Sequence, residues 1–122
     1  MEFIVTPELQ GIYIISCPSK MDWDARIEVS AVLKDTVEGS GLHGIILDLD
    51  KVRYMNSAGL GAIFIVQKFA KERNARVVMA GPTPTMMRLL QTANVPKVIP
   101  VAEDLDHARE LLGSPLSDSA SQ

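Results

Sequence analysis

Apolar residues in this chain fall in blocks whose spacing switches between strand-like and helical. Gly44-Ile45-Ile46-Leu47-Asp48-Leu49-Asp50 is a short, nearly continuous apolar run, the pattern of a strand covered on both faces. Phe3 to Thr6 and Ile12 to Ser16 are two shorter runs separated by Pro7-Glu8-Leu9-Gln10-Gly11. Their closeness predicts a hairpin, with Pro7 and Gly11 supplying the turn. Cys17-Pro18-Ser19-Lys20 breaks the pattern. From Asp24 to Glu38, Ala25, Val29, Val32, Leu33 and Val37 form one stripe of a helix. Asp22 or Asp24 can cap that helix, and Gly39-Ser40-Gly41 ends it.

After the central strand and a connector, Lys51 to Met55, helical spacing returns from Ala58 to Arg73. Arg76 to Ala80 reads as a strand closed by Gly81-Pro82. Thr83, with Pro84 just inside, starts a helix through Leu90. Lys97 to Val101 predicts a last strand, and Asp104 to Leu112 a last helix that ends at Gly113. The order is β-β-α-β-α-β-α-β-α. Short β–α–β crossovers are right-handed and favour parallel pairing. The predicted class is therefore α/β, a mixed, mostly parallel sheet with four helices packed against it. Residues 1–113 form one domain in this reading, and the Ser-rich stretch 114–122 is expected to be a disordered polar tail.

Composition narrows the classes of function. A net charge of −3 argues against non-specific nucleic-acid binding, which needs clustered Lys and Arg. No apolar run approaches the ~20 residues that span a bilayer. The N-terminus, Met1-Glu2-Phe3-Ile4, lacks the basic and apolar regions of a secretion signal, so a soluble cytoplasmic protein is expected. Cys17, the single cysteine, has no partner for an internal disulfide or a Cys-based metal site.

The junction Asn56-Ser57-Ala58-Gly59-Leu60-Gly61 concentrates the candidate chemistry. A Ser or Asn here caps the helix by accepting from free N–H groups of its first turn, and that positive end also suits a phosphate. Ser57 is thus either a cap or a hydroxyl presented for modification. At 3.6 residues per turn, Ala58, Ala62, Ile65, Val66, Phe69 and Ala70 share a face that should meet the sheet. Ser57, Gln67, Lys68 and Lys71 lie opposite, yet Leu60, Gly61 and Phe64 fall on that polar side too. Burying Leu60 and Phe64 on a partner would contribute roughly 1.5–3 kcal/mol each. Gly61 would let another backbone approach. Neighbouring loops could cover these residues instead, but a stripe of hydroxyl, Leu, Gly and Phe flanked by lysines favours a partner-binding face. Trp23, beside Asp22, is either packed on the first helix or an interface anchor.

Other chemistries find little support. A nucleophile elbow around Ser57 would need glycine at position 55, which is Met55. The two histidines, His43 and His107, are expected away from Ser57, so no catalytic residue and no metal site is assigned. Gly59-x-Gly61 is too short for a dinucleotide fingerprint, and the helix start lacks a Walker lysine. No cofactor is expected. Asp48 and Asp50 read as strand-end and turn residues, and Cys17 as a buried small apolar residue.

With these residues in view, the chain resembles the STAS domain family, especially its small bacterial anti-sigma-factor antagonists. The resemblance rests on the Leu47-Asp48-Leu49 strand and on Asn56-Ser57-Ala58-Gly59-Leu60-Gly61, similar to the family's Asp-Ser-(Ser/Thr/Ala)-Gly-Leu-Gly signature. Ala80-Gly81-Pro82 and Met86-Met87-Arg88-Leu89-Leu90 resemble its fourth strand and third helix. The resemblance implies the STAS fold and partner switching. A non-enzymatic antagonist binds an anti-sigma factor with serine-kinase activity, which then releases its sigma factor. Phosphorylation of the signature serine, here Ser57, breaks the complex, and a phosphatase resets it. Asp22 matches an aspartate in the loop before the first helix that lies near the serine. The implied partner-binding residues are Asp22, Trp23, Asn56, Ser57, Ala58, Gly59, Leu60, Gly61 and Phe64. Asn56 stands where phosphorylated antagonists carry aspartate. That departure adds weight to the alternative, an unmodified STAS scaffold or accessory subunit of a lipid-transporter or sensor complex.

Overall fold

Alternate residues of the central strands point to opposite layers, and both layers are apolar. The computed structural model of the chain describes residues 3–37 and 39–113. Its main sheet has five strands in the order β1 (Ile4–Pro7), β2 (Ile12–Ser16), β4 (Gly44–Asp48), β6 (Arg76–Ala80) and β7 (Val101–Ala102). β1 runs antiparallel to β2, and every other pairing is parallel. The class is α/β, with a mixed, mostly parallel sheet and four helices, as the sequence pattern predicts.

On one face, Ile15, Ile45, Leu47, Val77 and Met79 pack with apolar residues of α1 (Trp23–Thr36), α2 (Ser57–Lys71) and α3 (Pro84–Thr92). On the other, Ile12, Ile14, Ile46, Val78 and Ala80 pack with Ala108 and Leu112 of α4 (Leu105–Leu112). A strand buried on both sides has no polar face to show, which is why β4 reads as an unbroken apolar run. The stripe Ala25, Val29, Val32, Leu33 and Val37 is buried throughout.

The hairpin between β1 and β2 turns through a 3-10 segment, Leu9–Gly11, in which Gln10 and Gly11 have φ of 64° and 75°. A Cβ on Gly11 would run into the Gly41 carbonyl, so glycine is required there by space as well as by φ. Glu8 ties this turn to α4. Arg109 donates from Nε to Oε1 at 2.7 Å and from Nη2 to Oε2 at 3.0 Å, a bidentate pair.

Two expectations are corrected, and one open choice is settled. Lys20–Met21 (β3) and Tyr54–Met55 (β5), read as a pattern break and a connector, form a separate two-stranded parallel ledge. The strand expected at Lys97 to Val101 is a 3-10 segment, Val95–Lys97, followed by β7. Pro96 and Pro100 lack the N–H a ladder needs, and Asn94 is left-handed at φ 62°, so pairing begins only after the second proline. Asp22, not Asp24, caps α1, its Oδ1 accepting from Asp24 N at 3.1 Å and Ala25 N at 3.4 Å. α1 ends at Thr36 and α3 runs on to Thr92. The expected tail 114–122 lies outside the described residues.

The Glu8–Arg109 pair yields a pH test. The Arg109 guanidinium, bonded to Glu8, holds that carboxyl below the usual carboxylate range. A depressed folded pKa means stabilisation that is present above the unfolded value and is lost as pH falls through the folded one. Both partners are partly exposed, which limits the effect. In urea unfolding, Glu8→Gln should lose up to about 1 kcal/mol near neutral pH. The gap to the parent chain should close as pH falls below the usual range for a glutamate.

Candidate functional site

The ledge formed by β3 and β5 sets two helix starts side by side. Met21 pairs with Met55, and both are buried, so the residues that follow, Asp22 and Asn56, begin α1 and α2 at the same level. The Asn56 amide donates to the Met21 carbonyl at 3.2 Å, and Arg53 N and Tyr54 N donate to the Ser19 carbonyl at 2.8 and 3.1 Å. α2 approaches closely because residue 59 has no side chain: a Cβ there would overlap the Met21 backbone carbonyl. Gly59 is buried, and that close approach is its role, so it presents nothing outward.

The choice between cap and exposed hydroxyl resolves cleanly. Asn56 is the cap: its Oδ1 accepts from Gly59 N at 3.1 Å, while Nδ2 donates to the Tyr54 phenol oxygen at 3.4 Å. Ser57 is the first helical residue and is exposed. Among the described residues its hydroxyl has no hydrogen-bond partner.

Below Ser57, the faces of α2 differ in part from the periodicity. Gly59, Ala62, Ile63, Val66 and Ala70 are buried, whereas Ala58, Ile65 and Phe69 are half-buried. Ile65 and Phe69 border a crevice shared with Ser30 and Leu33 of α1. The helix therefore buries a wider arc, because it packs on a neighbouring helix as well as the sheet. Phe64 is 40% exposed. Leu60 is half-buried and lines an open groove of about 560 Å³ together with Asn56, Ser57, Arg88 and Leu89. Gly61 does not lie open for another backbone. Arg26 of α1 occupies the space above it, with Nη1 2.5 Å from where a Cβ would stand. Trp23, 59% exposed, is not packed into the helix and has the Arg26 guanidinium 5.8 Å from its ring centroid.

The structure thus brings Asp22, Trp23, Asn56, Ser57, Leu60 and Gly61 to one end of the α1–α2 pair, with Phe64 exposed at the middle of α2. Periodicity missed Arg26, Tyr54 and the α3 residues Arg88 and Leu89. Only the run Met86 to Leu90 signalled α3, and nothing local placed it beside Ser57.

Other polar groups lie elsewhere. His43 precedes β4, and its Nε2 donates to the carbonyls of Gly113 at 2.7 Å and Leu112 at 3.2 Å, at the strand end opposite Ser57. His107 is on α4, across the sheet from α2, with Nδ1 accepting from Glu103 N at 3.1 Å. Asp48 accepts from Asp50 N at 3.1 Å, a strand-end turn. Burial, reinforced by the nearby Asp48 charge, pushes the Cys17 thiol far up, so it stays protonated and unreactive. Among the described residues no group of three or more His, Cys, Asp and Glu could hold a metal ion, and no helix is long and apolar enough to cross a membrane.

The family model for the STAS domain matches residues 3–108, and the chain belongs to this family. It is 21% identical over 95 residues to an anti-sigma F factor antagonist of Paenibacillus polymyxa, covering 78% of this chain and 81% of that protein. Among solved structures, it is similar to the anti-sigma factor antagonist SpoIIAA in its unphosphorylated form, with TM-score 0.70, 15% identity and coverage of 89% and 95%. The phosphorylated form of SpoIIAA from Bacillus matches with TM-score 0.57, 17% identity and coverage of 83% and 91%. Part of a murine anion transporter, Slc26a9, has the same fold: TM-score 0.69, 16% identity, 87% of this chain but 18% of the transporter.

The division of labour at the helix start is measurable by urea unfolding. Asn56→Ala should lose about 1 kcal/mol with the cap. Ser57→Ala should stay within about 0.5 kcal/mol of the parent, as a surface change does. Gly59→Ala, despite better helix propensity, should cost at least about 1–3 kcal/mol through overpacking against β3.

Proposed function

We propose that this chain is a non-enzymatic anti-sigma-factor antagonist that binds a serine-kinase-type anti-sigma factor and is switched off by phosphorylation of Ser57. The observation that carries the reading is an exposed hydroxyl, without a partner among the described residues, at the first position of a helix whose cap is supplied by its neighbour. In the modifying step, Ser57 Oγ attacks the γ-phosphorus of ATP held by the kinase. The Oγ–P bond forms, the bond to the β,γ-bridging oxygen breaks, ADP leaves, and the hydroxyl proton passes to a base of the kinase. The product carries about −1.5 to −2 charges and three acceptor oxygens.

This domain tolerates that group, because the α2 N-terminus offers a positive dipole end and keeps its cap. A partner seated over Trp23, Leu60 and Phe64 does not: it would have to desolvate the phosphate or withdraw. A coupling of 1–3 kcal/mol is enough for a switch and needs no rearrangement of this fold. The likeness to an anti-sigma F factor antagonist and to SpoIIAA, solved in both states of phosphorylation, supports the same reading. A phosphatase would complete the cycle, and the place of action would be the cytoplasm.

A second reading, an unmodified accessory subunit of a transporter or sensor assembly, draws on Asn56 in place of the usual aspartate and on the likeness to part of an anion transporter. Incubation with the kinase-type anti-sigma factor and ATP, followed by mass spectrometry, separates the two. The first predicts phosphate on Ser57, and the second predicts a stable complex with none. Ser57→Asp should abolish binding to the anti-sigma factor with little change in melting temperature. Phe64→Ala should weaken binding more than folding. If folding collapses instead, Phe64 belongs to the core.

A further inference from the structure

Arg26 lies over Gly61, one helical turn after Ser57, without a counter-charge. Its guanidinium lies over the face of Gly61, with Nη1 2.5 Å from the position a Cβ would take, and 5.8 Å from the Trp23 ring centroid. Among the described residues its side chain makes no hydrogen bond and no ion pair. The carboxylate one turn back on α1, Asp22, is committed to capping, accepting from Asp24 N and Ala25 N. Gly61 follows Ser57 by one helical turn, so the two Cβ positions are neighbours, roughly 5–6 Å apart. The Arg26 guanidinium therefore reaches to within about 8.5 Å of the Ser57 Cβ as it stands, the sum of that spacing and its distance from residue 61. A phosphoryl group on Oγ covers much of that gap, and Arg26 is an exposed side chain free to rotate through the rest.

Resting on the assignment of Ser57 as the modified residue, we infer that Arg26 is the internal counter-ion of phosphorylated Ser57. Guanidinium and phosphate pair in a bidentate, charge-assisted geometry. Before modification, Arg26 faces outward between Trp23 and Gly61 as a positive charge open to a partner's carboxylate. Phosphorylation draws it onto the phosphate. The surface then changes twice in one event: it gains a bulky anion at 57 and loses the free cation at 26. Gly61 leaves room for this seat, since a Cβ there would push the guanidinium aside.

The competing cation is Arg88, which lines the groove on the other side of Ser57. Asp22, at the α1 cap, is the facing carboxylate. The test uses the full chain with phosphoserine installed at position 57 during translation, so no kinase is needed. Phosphorus NMR then follows its second ionisation, near pH 6 for a free phosphoserine. A nearby cation favours the dianion and lowers that value, while the α2 dipole acts equally in every variant. The phosphoserine of the otherwise unaltered chain should titrate about half a unit below that of Arg26→Gln, as fits an exposed pair, and high salt should shrink the difference. Arg88→Gln should titrate like the unaltered chain. Identical titration in Arg26→Gln and the unaltered chain overturns the inference, as does an equal or larger rise in Arg88→Gln. Failure of the regulatory reading is read separately, as an unmodified Ser57 in the kinase assay.

Discussion

The missing side chain at position 59 is the constraint on which the site depends. It lets the first turn of α2 rest directly on the backbone of β3, where any Cβ would meet the Met21 carbonyl. From that contact the rest follows in order. The β3–β5 ledge holds Met21 and Met55 in register, Asp22 and Asn56 emerge together, and both cap their helices. α1 and α2 then run as a packed pair, which carries Arg26 onto Gly61 and leaves Trp23 and Phe64 exposed nearby. A backbone-to-backbone approach is stiffer than a side-chain contact, because no rotamer change can relieve it.

The main sheet supplies the rigid base beneath this arrangement. Its parallel core buries both faces, three helices on one side and α4 alone on the other, so α1 and α2 are anchored over residues that scarcely see solvent. His43 and the last carbonyls of α4 lie at the amino end of β4 and tie the two layers together, while Ser57 stands beyond its carboxyl end. Scaffold contacts and the exposed Ser57 hydroxyl are thus separated along the strand axis.

Much of this was legible in the sequence, for physical reasons. Strands of five residues buried on both faces, and helices with a clear apolar stripe, announce themselves through periodicity, as β4 and α1 did. Caps with a single choice, such as Thr83 ahead of Pro84, were also readable. Two-residue strands carry no period, so β3 and β5 passed as a break and a connector. At Lys97 to Val101 hydrophobicity suggested a strand, but the flanking prolines removed the donors that a ladder requires. At the helix start, Asn56 and Ser57 were equally good caps on paper, and the extended backbone of residue 56 with its side-chain bond to Gly59 N decided between them. Arg26 over Gly61, and α3 beside Ser57, join residues far apart in the chain, and no local signal encodes such meetings.

The transfer of capping to Asn56 frees position 57 from any duty in folding. A residue that stabilises its own helix is held in place by selection for stability, whatever else it does. Ser57 bears no such load, so its identity can drift among small and polar residues while the folded population stays the same. Under the proposed function, one substitution at position 57 would thus confer or remove sensitivity to the kinase, on a scaffold that does not register the exchange.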